Sequence, residues 1–382
     1  MSGALDGLKV LDLSRILAGP TCTQLLGDLG AEVIKIENPA TDGDDTRRWG
    51  PPYVTGPDDT VTDLSAYFMS ANRNKKSVAI DMKTIQGQMQ IKLLAAQADI
   101  IVENFKPGSL ARWGLDHATM IQAHPNLIYC SISGFGQTGP NSSKPGYDLM
   151  AQGFGGVMSL TGEPEGEPMK VGVGVSDVMC GMYATVGILA ALRHRDKTGG
   201  GQHIDLALVD CQVAWLVNEG VNYLTSDEVP TRRGNGHPNI APYQTYRASD
   251  GDVIVAVGND TQFARFADWL GQPEMANDPR FATNPARLMN REGLNALLAP
   301  ALAAHSVDDI IAALEARKIP VGPVNTLDRV FASDQVAARE MKVELPSASS
   351  HDGVVTLIGN PLKFSKTPAT YRSAPPVFGQ GT

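Results

Sequence analysis

The chain has 382 residues, a length that points to two or three packed units. Hydrophobic residues make up 42% and charged residues 19%, below the ~25% usual for globular chains, which excludes a disordered or coiled-coil molecule. A formal net charge of -9 excludes nucleic acid and an anionic membrane surface as general partners, although small anionic ligands stay open because local charge decides those. The four cysteines, Cys22, Cys130, Cys180 and Cys211, form no C-x-x-C pair, so neither a zinc ribbon nor a metal centre is expected. The start, MSGALDGLKVLDLS, lacks the basic and apolar regions of a signal peptide, and no apolar run reaches the ~18 residues of a membrane span. A cytoplasmic protein is expected, with the Asn141-Ser142-Ser143 sequon accidental.

In chain order, Lys9 to Leu13 reads as a strand, Pro20 to Gly30 as a helix ended by glycine, and Ala31 to Glu37 as a second strand. Lys76 to Asp81 is a third strand, followed by a helix from Thr84 to Gln97, a fourth strand at Asp99 to Glu103 and a fifth at Leu127 to Ser133. Strands alternating with helices predict an α/β fold with a mainly parallel, doubly wound sheet. Asp148 to Leu160 and Asp177 to Arg193 read as helices with small faces. TGGG at Thr198 to Gly201 breaks the second before a strand at His203 to Leu208, and a helix follows from Asp210 to Leu224.

From Thr225 to Pro242 the chain is polar and reads as a loop. Gln244 to Val257 reads as a hairpin centred on Asp250-Gly251, and helices at Asp260 to Leu270, Asn290 to Ala304 and Val307 to Arg317 complete a smaller α+β domain. The expected division is 1–200 for the N-terminal part of the large domain, 201–228 for a linker helix region, 229–325 for the small domain and 326–382 for a linker and a return to the large domain. The tail from Val354 is Pro-rich and is expected to run extended over another domain or subunit.

Gly134-Phe135-Gly136-Gln137-Thr138-Gly139 matches G-x-G-x-x-G, but Pro140 follows and no acidic residue stands ~20 positions on, so it reads as a turn and not as a dinucleotide fingerprint. G-x-S-x-G, P-loop and H-E-x-x-H motifs are absent from the sequence. Asn72 to Lys76 (NRNKK) is a basic cluster, either a solvated loop or a clamp for phosphates. Asn104, Phe105 and Arg112 follow the fourth strand, at the end of an open sheet where ligands bind. Asp177 opens the most apolar helix of the chain, with small residues around it that let a ligand approach. It is a carboxylate nucleophile for acyl chemistry or a helix-start residue. Asp148 is a second candidate, and spacing does not choose between them. His203 reads as structural, and His237 lies on a loop.

These residues carry a resemblance. VLDLSRILAGP, GAEVIKIE, NRNKKSVAIDM, VENFKPG, ISGFGQTGP, PGYDLMAQ, GVGVSDVMCGMYATVGILAAL, KTGGGQHIDLALVD and the closing FGQGT resemble the family III CoA-transferases over nearly the whole chain. Within the family the chain looks most like the succinyl-CoA:dicarboxylate, glutarate-type transferases. The resemblance implies an interlocked homodimer of Rossmann-like chains, CoA thioester and carboxylic acid as substrates, and no tightly bound cofactor.

It also implies residue roles. Asp177 matches the catalytic aspartate, which decides against Asp148. Ile16, Leu17 and Ala18 match the segment lining the CoA path. Asn72, Lys75, Asn104, Phe105 and Arg112 match contacts to the adenosine phosphates, and Phe135 a position near the pantetheine. Gly234, Asn235, Gly236 and His237 match a mobile glycine-rich loop, shorter in glycine here. Asn38 replaces an arginine that meets the nucleotide in some members. Racemases of the family have a histidine at Tyr147. A tyrosine, which ordinarily keeps its proton to about pH 10, is a poor base and favours transfer. Arg15, Arg47, Arg232 and Arg233 are candidates for the distal carboxylate of a dicarboxylic substrate. Alternatives are an α-methylacyl-CoA racemase, a formyl-CoA:oxalate-type transferase, and a non-catalytic subunit of an unlike pair.

Overall fold

The computed structural model describes residues 3–381. Its first eight strands are β1 (Lys9–Asp12), β2 (Glu32–Glu37), β3 (Tyr53–Thr55), β4 (Val61–Ser65), β5 (Lys75–Ala79), β6 (Ile100–Glu103), β7 (Ile128–Ser133) and β8 (His203–Ala207). Six of them form one sheet in the order β5-β2-β1-β6-β7-β8, with every neighbouring pair parallel. The chain winds outward from β1 in one direction and from β6 in the other. The ends of these two strands are therefore the switch point at which such sheets bind ligands.

The strand sequences suit burial on both faces. β7, IYCSIS, is buried along its whole length and does not alternate with polar residues. One face carries Val10, Val33, Val102 and Ile128 against Cys22 and Leu26 of the Ala18–Asp28 helix and Ile188 of the Val175–Thr198 helix. The other carries Leu11, Ile36 and Ile101 against Ile91 of the Ile85–Ala95 helix and Met120 of the His117–Ala123 helix. Thr84 and Asp116 start these last two helices by accepting backbone N–H groups, of Gly87 and of Ala118 and Thr119 respectively.

The long helix packs on the Ala18–Asp28 helix through Gly181, where a Cβ would stand 2.6 Å from the Ala18 carbonyl oxygen. An 18-residue window of that helix has a mean hydropathy of 1.6, so among the described residues one helix is long and apolar enough to cross a membrane by length and composition. Cys180, Ala184 and Ile188 on its inner face lie in the core, as in a core helix of a large domain.

Two expected helices are each broken. Asp148–Phe154 and Val157–Leu160 are separated at Gly155-Gly156, where Gly156 has φ 89°. Leu208–Ala214 and Val217–Ser226 are separated by Trp215-Leu216. The antiparallel β3–β4 hairpin had no counterpart in the sequence reading.

The chain divides into two compact units. One holds the residues to Val157, Lys170–Glu228 and the chain from Asp334 onward; the other holds Met158–Met169 and Val229–Ser333. The second unit has β9 (Tyr243–Arg247), β10 (Asp252–Ala256) and β11 (Val321–Pro323) in an antiparallel sheet, ordered β11-β10-β9. Its helices pack Phe263, Phe266, Leu294, Leu298 and Ile310 around a core of their own.

In the first unit, β12 (Lys342–Pro346) and β13 (Val354–Ile358) form a hairpin where the tail was expected to run extended. Beyond it the tail lies on the large sheet's own unit. Asn360 Nδ2 donates to Asp28, Thr370 N–H to the Asp28 carbonyl oxygen, and Gly381 N–H to the Ser77 carbonyl oxygen.

Candidate active site

The segments leaving the ends of β1 and β6 form the walls of a cleft of about 200 Å³. Arg15, Ile16, Leu17 and Ala18 come from one side, and Asn104, Phe105, Lys106 and Pro107 from the other. Lys144 and Tyr147 line it from the loop before the Asp148–Phe154 helix, and Asp177 lines it from the first turn of the Val175–Thr198 helix. Tyr147 can sit there because Gly134 and Gly146 touch backbone to backbone: a Cβ on Gly134 would stand 2.4 Å from the Gly146 Cα.

Gly174 occupies the cap position of the long helix and has no side chain to cap it. Asp148 supplies the missing acceptor. Its Oδ1 takes the Ser176 N–H at 2.8 Å and the Asp177 N–H at 3.3 Å, while its Oδ2 accepts Gln152 Nε2 at 2.6 Å. Asp148 is therefore engaged through both of its oxygens. The half-buried Asp177 carboxyl has no hydrogen-bond donor on it among the described residues. Burial, and then the charge of Asp148, push its pKa up to about 7. A carboxylate that is deprived of stabilising partners and stands in a cleft is a more basic nucleophile than an ordinary one.

The β1 wall is held from several sides. Ile16 has φ 70°, a left-handed conformation rare for a β-branched residue. Its N–H donates to both Asp44 oxygens at 3.2 Å, and Asp44 is ion-paired to Lys35 Nζ at 2.9 Å. Lys35 also donates to the Ser14 carbonyl oxygen at 2.8 Å. The Asn104 side chain accepts the Arg15 N–H and donates to the Arg15 carbonyl oxygen. Next to the cleft, a second cavity of about 220 Å³ shares Arg15 and Phe105 and adds Asn38, Met82, Lys83 and Trp113.

Arg15, Ile16, Leu17, Ala18, Asn104, Phe105, Tyr147 and Asp177 are thus brought together as residues of one cleft. The basic cluster is not a solvated loop. Asn72 and Lys75 lie inside, and Lys75 Nζ donates to Asp12 at 3.1 Å, Pro20 O at 3.0 Å and Asn72 Oδ1 at 2.9 Å. Arg73 donates twice to Asp28 and once to the Ile358 carbonyl oxygen, so the motif ties the tail to the sheet. Its Lys76 is the exposed member. An arriving phosphate would have to displace the buried Lys75 contacts, which corrects the clamp reading for Asn72 and Lys75.

Arg47 is also corrected. Its guanidinium is buried and bonds Glu37 and Asp63, leaving nothing for a substrate carboxylate. Arg112 is exposed and lies over the Trp113 ring at 4.7 Å. Phe135 packs edge-on against Phe154, 5.2 Å between centroids, in place of lining the cleft. Gly134 to Gly139 is a turn, and the next helix opens only at Asp148.

Gly234, Asn235, Gly236 and His237 belong to the second unit. There Gly234 N–H donates to the Gly162 carbonyl oxygen, Asn235 bonds Thr245 at 2.7 Å and His237 stacks on Tyr243 at 5.0 Å. Arg232 in the same unit donates to the carbonyl oxygens of Glu163, Pro164 and Gly166.

Sequence reasoning passed over Lys144, Lys83 and Trp113. It also passed over Tyr67, whose phenol is pushed up to about 12 by burial and then by Asp177 and Asp148, so that it stays a donor beside the acid pair. No motif or spacing marks Tyr67. No group of three or more potential metal ligands occurs among the described residues.

The sequence pattern of CoA-transferase family III matches residues 5–382. A succinate–glutarate CoA-transferase of Agrobacterium fabrum is 44% identical over 377 residues, 98% of this chain and 93% of that protein. A human succinyl-CoA:glutarate CoA-transferase is 40% identical over 378 residues, covering 99% and 84%. The crystal structure of a CAIB/BAIF family protein from Brucella suis is 46% identical, covers 100% and 98%, and superposes with a TM-score of 0.89. The chain therefore belongs to CoA-transferase family III and is an enzyme of the CoA-transferase type.

Proposed function

We propose that the enzyme moves CoA from succinyl-CoA, or a similar acyl-CoA, to a dicarboxylic acid through covalent intermediates on Asp177. The observation that carries this reading is the Asp177 carboxyl itself: half-buried, free of hydrogen bonds among the described residues, raised to about 7, and placed at the switch point of a parallel sheet. The names of the relatives, glutarate transferases foremost, support the choice of dicarboxylates.

In the first step an Asp177 oxygen attacks the thioester carbonyl carbon. The C–S bond breaks, and a mixed anhydride and CoA thiolate form. The thiolate then attacks the Asp177 carboxyl carbon and expels the donor acid, leaving an aspartyl-CoA thioester. The acceptor carboxylate attacks that carbon and again releases thiolate. The thiolate finally takes the acceptor acyl group and restores the Asp177 carboxylate. No net proton moves. A raised pKa suits Asp177 because it strengthens the nucleophile and keeps the anhydride and the thioester close in energy.

The backbone N–H groups at the start of the Ala18–Asp28 helix carry no side-chain cap, and Leu17 and Ala18 line the cleft, so they are donors for the oxyanion that forms at each attack. The nucleotide end of CoA fits the adjoining cavity, with Trp113 and Phe105 as apolar faces and Lys83 as a cation. Arg15, Lys106 and Lys144 are the cations of the cleft for carboxylate and phosphate groups. The interlocked homodimer is part of this proposal. Met182, Tyr183, Val186 and Leu189 on the outer face of the long helix are 37–63% exposed in one chain, an apolar stripe that a second copy would cover.

Incubating the enzyme with succinyl-CoA and a panel of free acids, and reading the CoA products by mass spectrometry, tests the transfer. A CoA adduct on the Asp177 peptide tests the intermediate. Turnover retained in D177A would overturn the assignment. Exchange of an α-proton into heavy water with a 2-methylacyl-CoA would favour the racemase instead.

A further inference from the structure

Glu103 ends β6 directly before the cleft wall, and it is 5% exposed. Its Oε2 accepts the Phe105 backbone N–H at 2.8 Å. Phe105 lines both the cleft and the adjoining cavity. Asn104, between the two, brackets the Arg15 peptide with its side-chain amide, at 2.9 Å to the nitrogen and 2.6 Å to the oxygen. One buried carboxyl thus anchors the β6 wall and, through Asn104, the β1 wall as well.

Behind Glu103 lies a small separate cavity of about 120 Å³ that the transfer chemistry does not use. The groups facing Glu103 come from four elements. β7 contributes Ser131 and Tyr129, and β8 contributes Asp205 and, through Ser131, His203. The start of the His117–Ala123 helix contributes Asp116 and His117, and the loop after Glu103 contributes Lys106.

No ion pair reaches Glu103 among the described residues. Burial raises its pKa to about 7, with the Ser131 and Phe105 hydrogen bonds holding it back and Asp205 adding to the rise. His203 stays neutral instead. Burial and the stacked His117, 3.7 Å away, lower its pKa to about 4. Tyr129 keeps its proton because burial and then Glu103 drive it up. Asp116 is held ionised as a helix cap: burial works against this, and hydrogen bonds from Thr119 and Ala118 outweigh it.

We infer that Glu103 is a positioning residue whose ionisation tightens the Asn104–Pro107 wall against the CoA thioester, so that thioester affinity rises with pH across the neutral range. An ionised acceptor makes a markedly stronger hydrogen bond to Phe105 N–H than a protonated one. The inference rests on the assignment of the cleft to CoA.

The test is binding, measured by calorimetry, of the S-methyl thioether of dephospho-CoA, which has no group titrating between about pH 5.5 and 8.5. The host is full-length D177N, in which the other neutral-range carboxyl is gone. The dissociation constant is expected to fall about fivefold from acid to alkaline pH, and to be flat in the E103Q/D177N double variant. S131A/D177N should keep the slope but move its midpoint to higher pH, because the hydroxyl no longer favours the charged form; this holds the idea testable even if E103Q folds poorly. A slope unchanged by E103Q, or none in D177N, overturns the inference. Absence of binding at every pH overturns the assignment of the cleft to CoA, and the inference with it.

Discussion

The Asp148 carboxylate accepts the backbone N–H of Asp177 at 3.3 Å, and so caps the helix whose first turn presents the Asp177 side chain to the cleft. The same negative charge, after burial, contributes to the raised pKa of that side chain. Position and basicity of the Asp177 carboxyl thus share one neighbour. D148N keeps an oxygen to accept the two N–H groups but removes the charge. The Asp177 pKa should then fall by less than ~1 unit, and the acidic limb of the kcat profile should move to lower pH by the same amount. D148A also removes the cap and should cost about 1 kcal/mol of stability. An acidic limb that stays in place in D148N would separate the two carboxylates.

The proposed nucleophile, Asp177, should destabilise its own fold. In the folded chain the Asp177 pKa is about 7, against 3.8 for the ordinary carboxyl. Between these values the folded state holds the proton that the unfolded state has lost, so stability falls as pH rises through the window and is lowest above it. D177N has no such dependence. At pH 8 it should be more stable than wild type by about 1–3 kcal/mol, a figure reduced for partial solvent access, and the gap should close as the pH approaches 4. Thermal melts at matched protein concentration from acid to alkaline pH measure it; a pH-independent gap would deny the electrostatic strain.

Lys75 gives the opposite outcome from a ligand contact. Burial brings its pKa down to about 8, and it still carries its charge at neutral pH beside Asp12. Burial raises the Asp12 carboxyl, but Lys75, Lys35 and the hydroxyls of Ser14 and Thr23 outweigh that and hold it below the usual range. K75M leaves Asp12 with one lysine fewer in a dry site, which should cost about 3 kcal/mol or more. Affinity for CoA in the remaining folded protein should change less than about threefold. Loss of CoA affinity without loss of stability would restore the phosphate-clamp reading.

These residues show where the sequence was legible. The two strands that make the switch point, KVLD and IIVE, are short apolar runs before polar loops, and periodicity finds them. Asp177 and Asp148 were indistinguishable by spacing, because what separates them is a tertiary fact: Asp148 reaches the uncapped helix end left by Gly174, and the Asp177 carboxyl has no donor on it among the described residues. Lys75 and Arg47 misled because a charged residue carries no local mark of burial: Asp12 lies on β1, which only the sheet order brings to Lys75 on β5, and Glu37 ends β2, to which the chain turns back at Arg47. The β3–β4 hairpin escaped because its strands are short and polar and follow no alternation. Tyr67 escaped because its importance is the field of side chains far away in sequence.

On the proposed function, Arg15 is the cleft cation expected to read the distal carboxylate of a dicarboxylic acid. It lines the same cleft as Asp177, and its partner Asp45 holds it only through an exposed pair at 3.2 Å. Such pairs are worth about 0–1 kcal/mol, so exchanging Asp45 for a substrate carboxylate meets little resistance. A charge-assisted bond from the guanidinium is worth about 1.5–3 kcal/mol, or roughly 10–100-fold in binding. R15A should raise KM for a dicarboxylate acceptor by that factor and change KM for a monocarboxylate of equal chain length by less than about threefold. D45A frees Arg15 and should leave the dicarboxylate KM unchanged or lower. If R15A raises both KM values alike, Arg15 supports the wall and not the acceptor, and selectivity passes to Lys144 or Lys106, whose alanine variants then become the ones to separate the two acids.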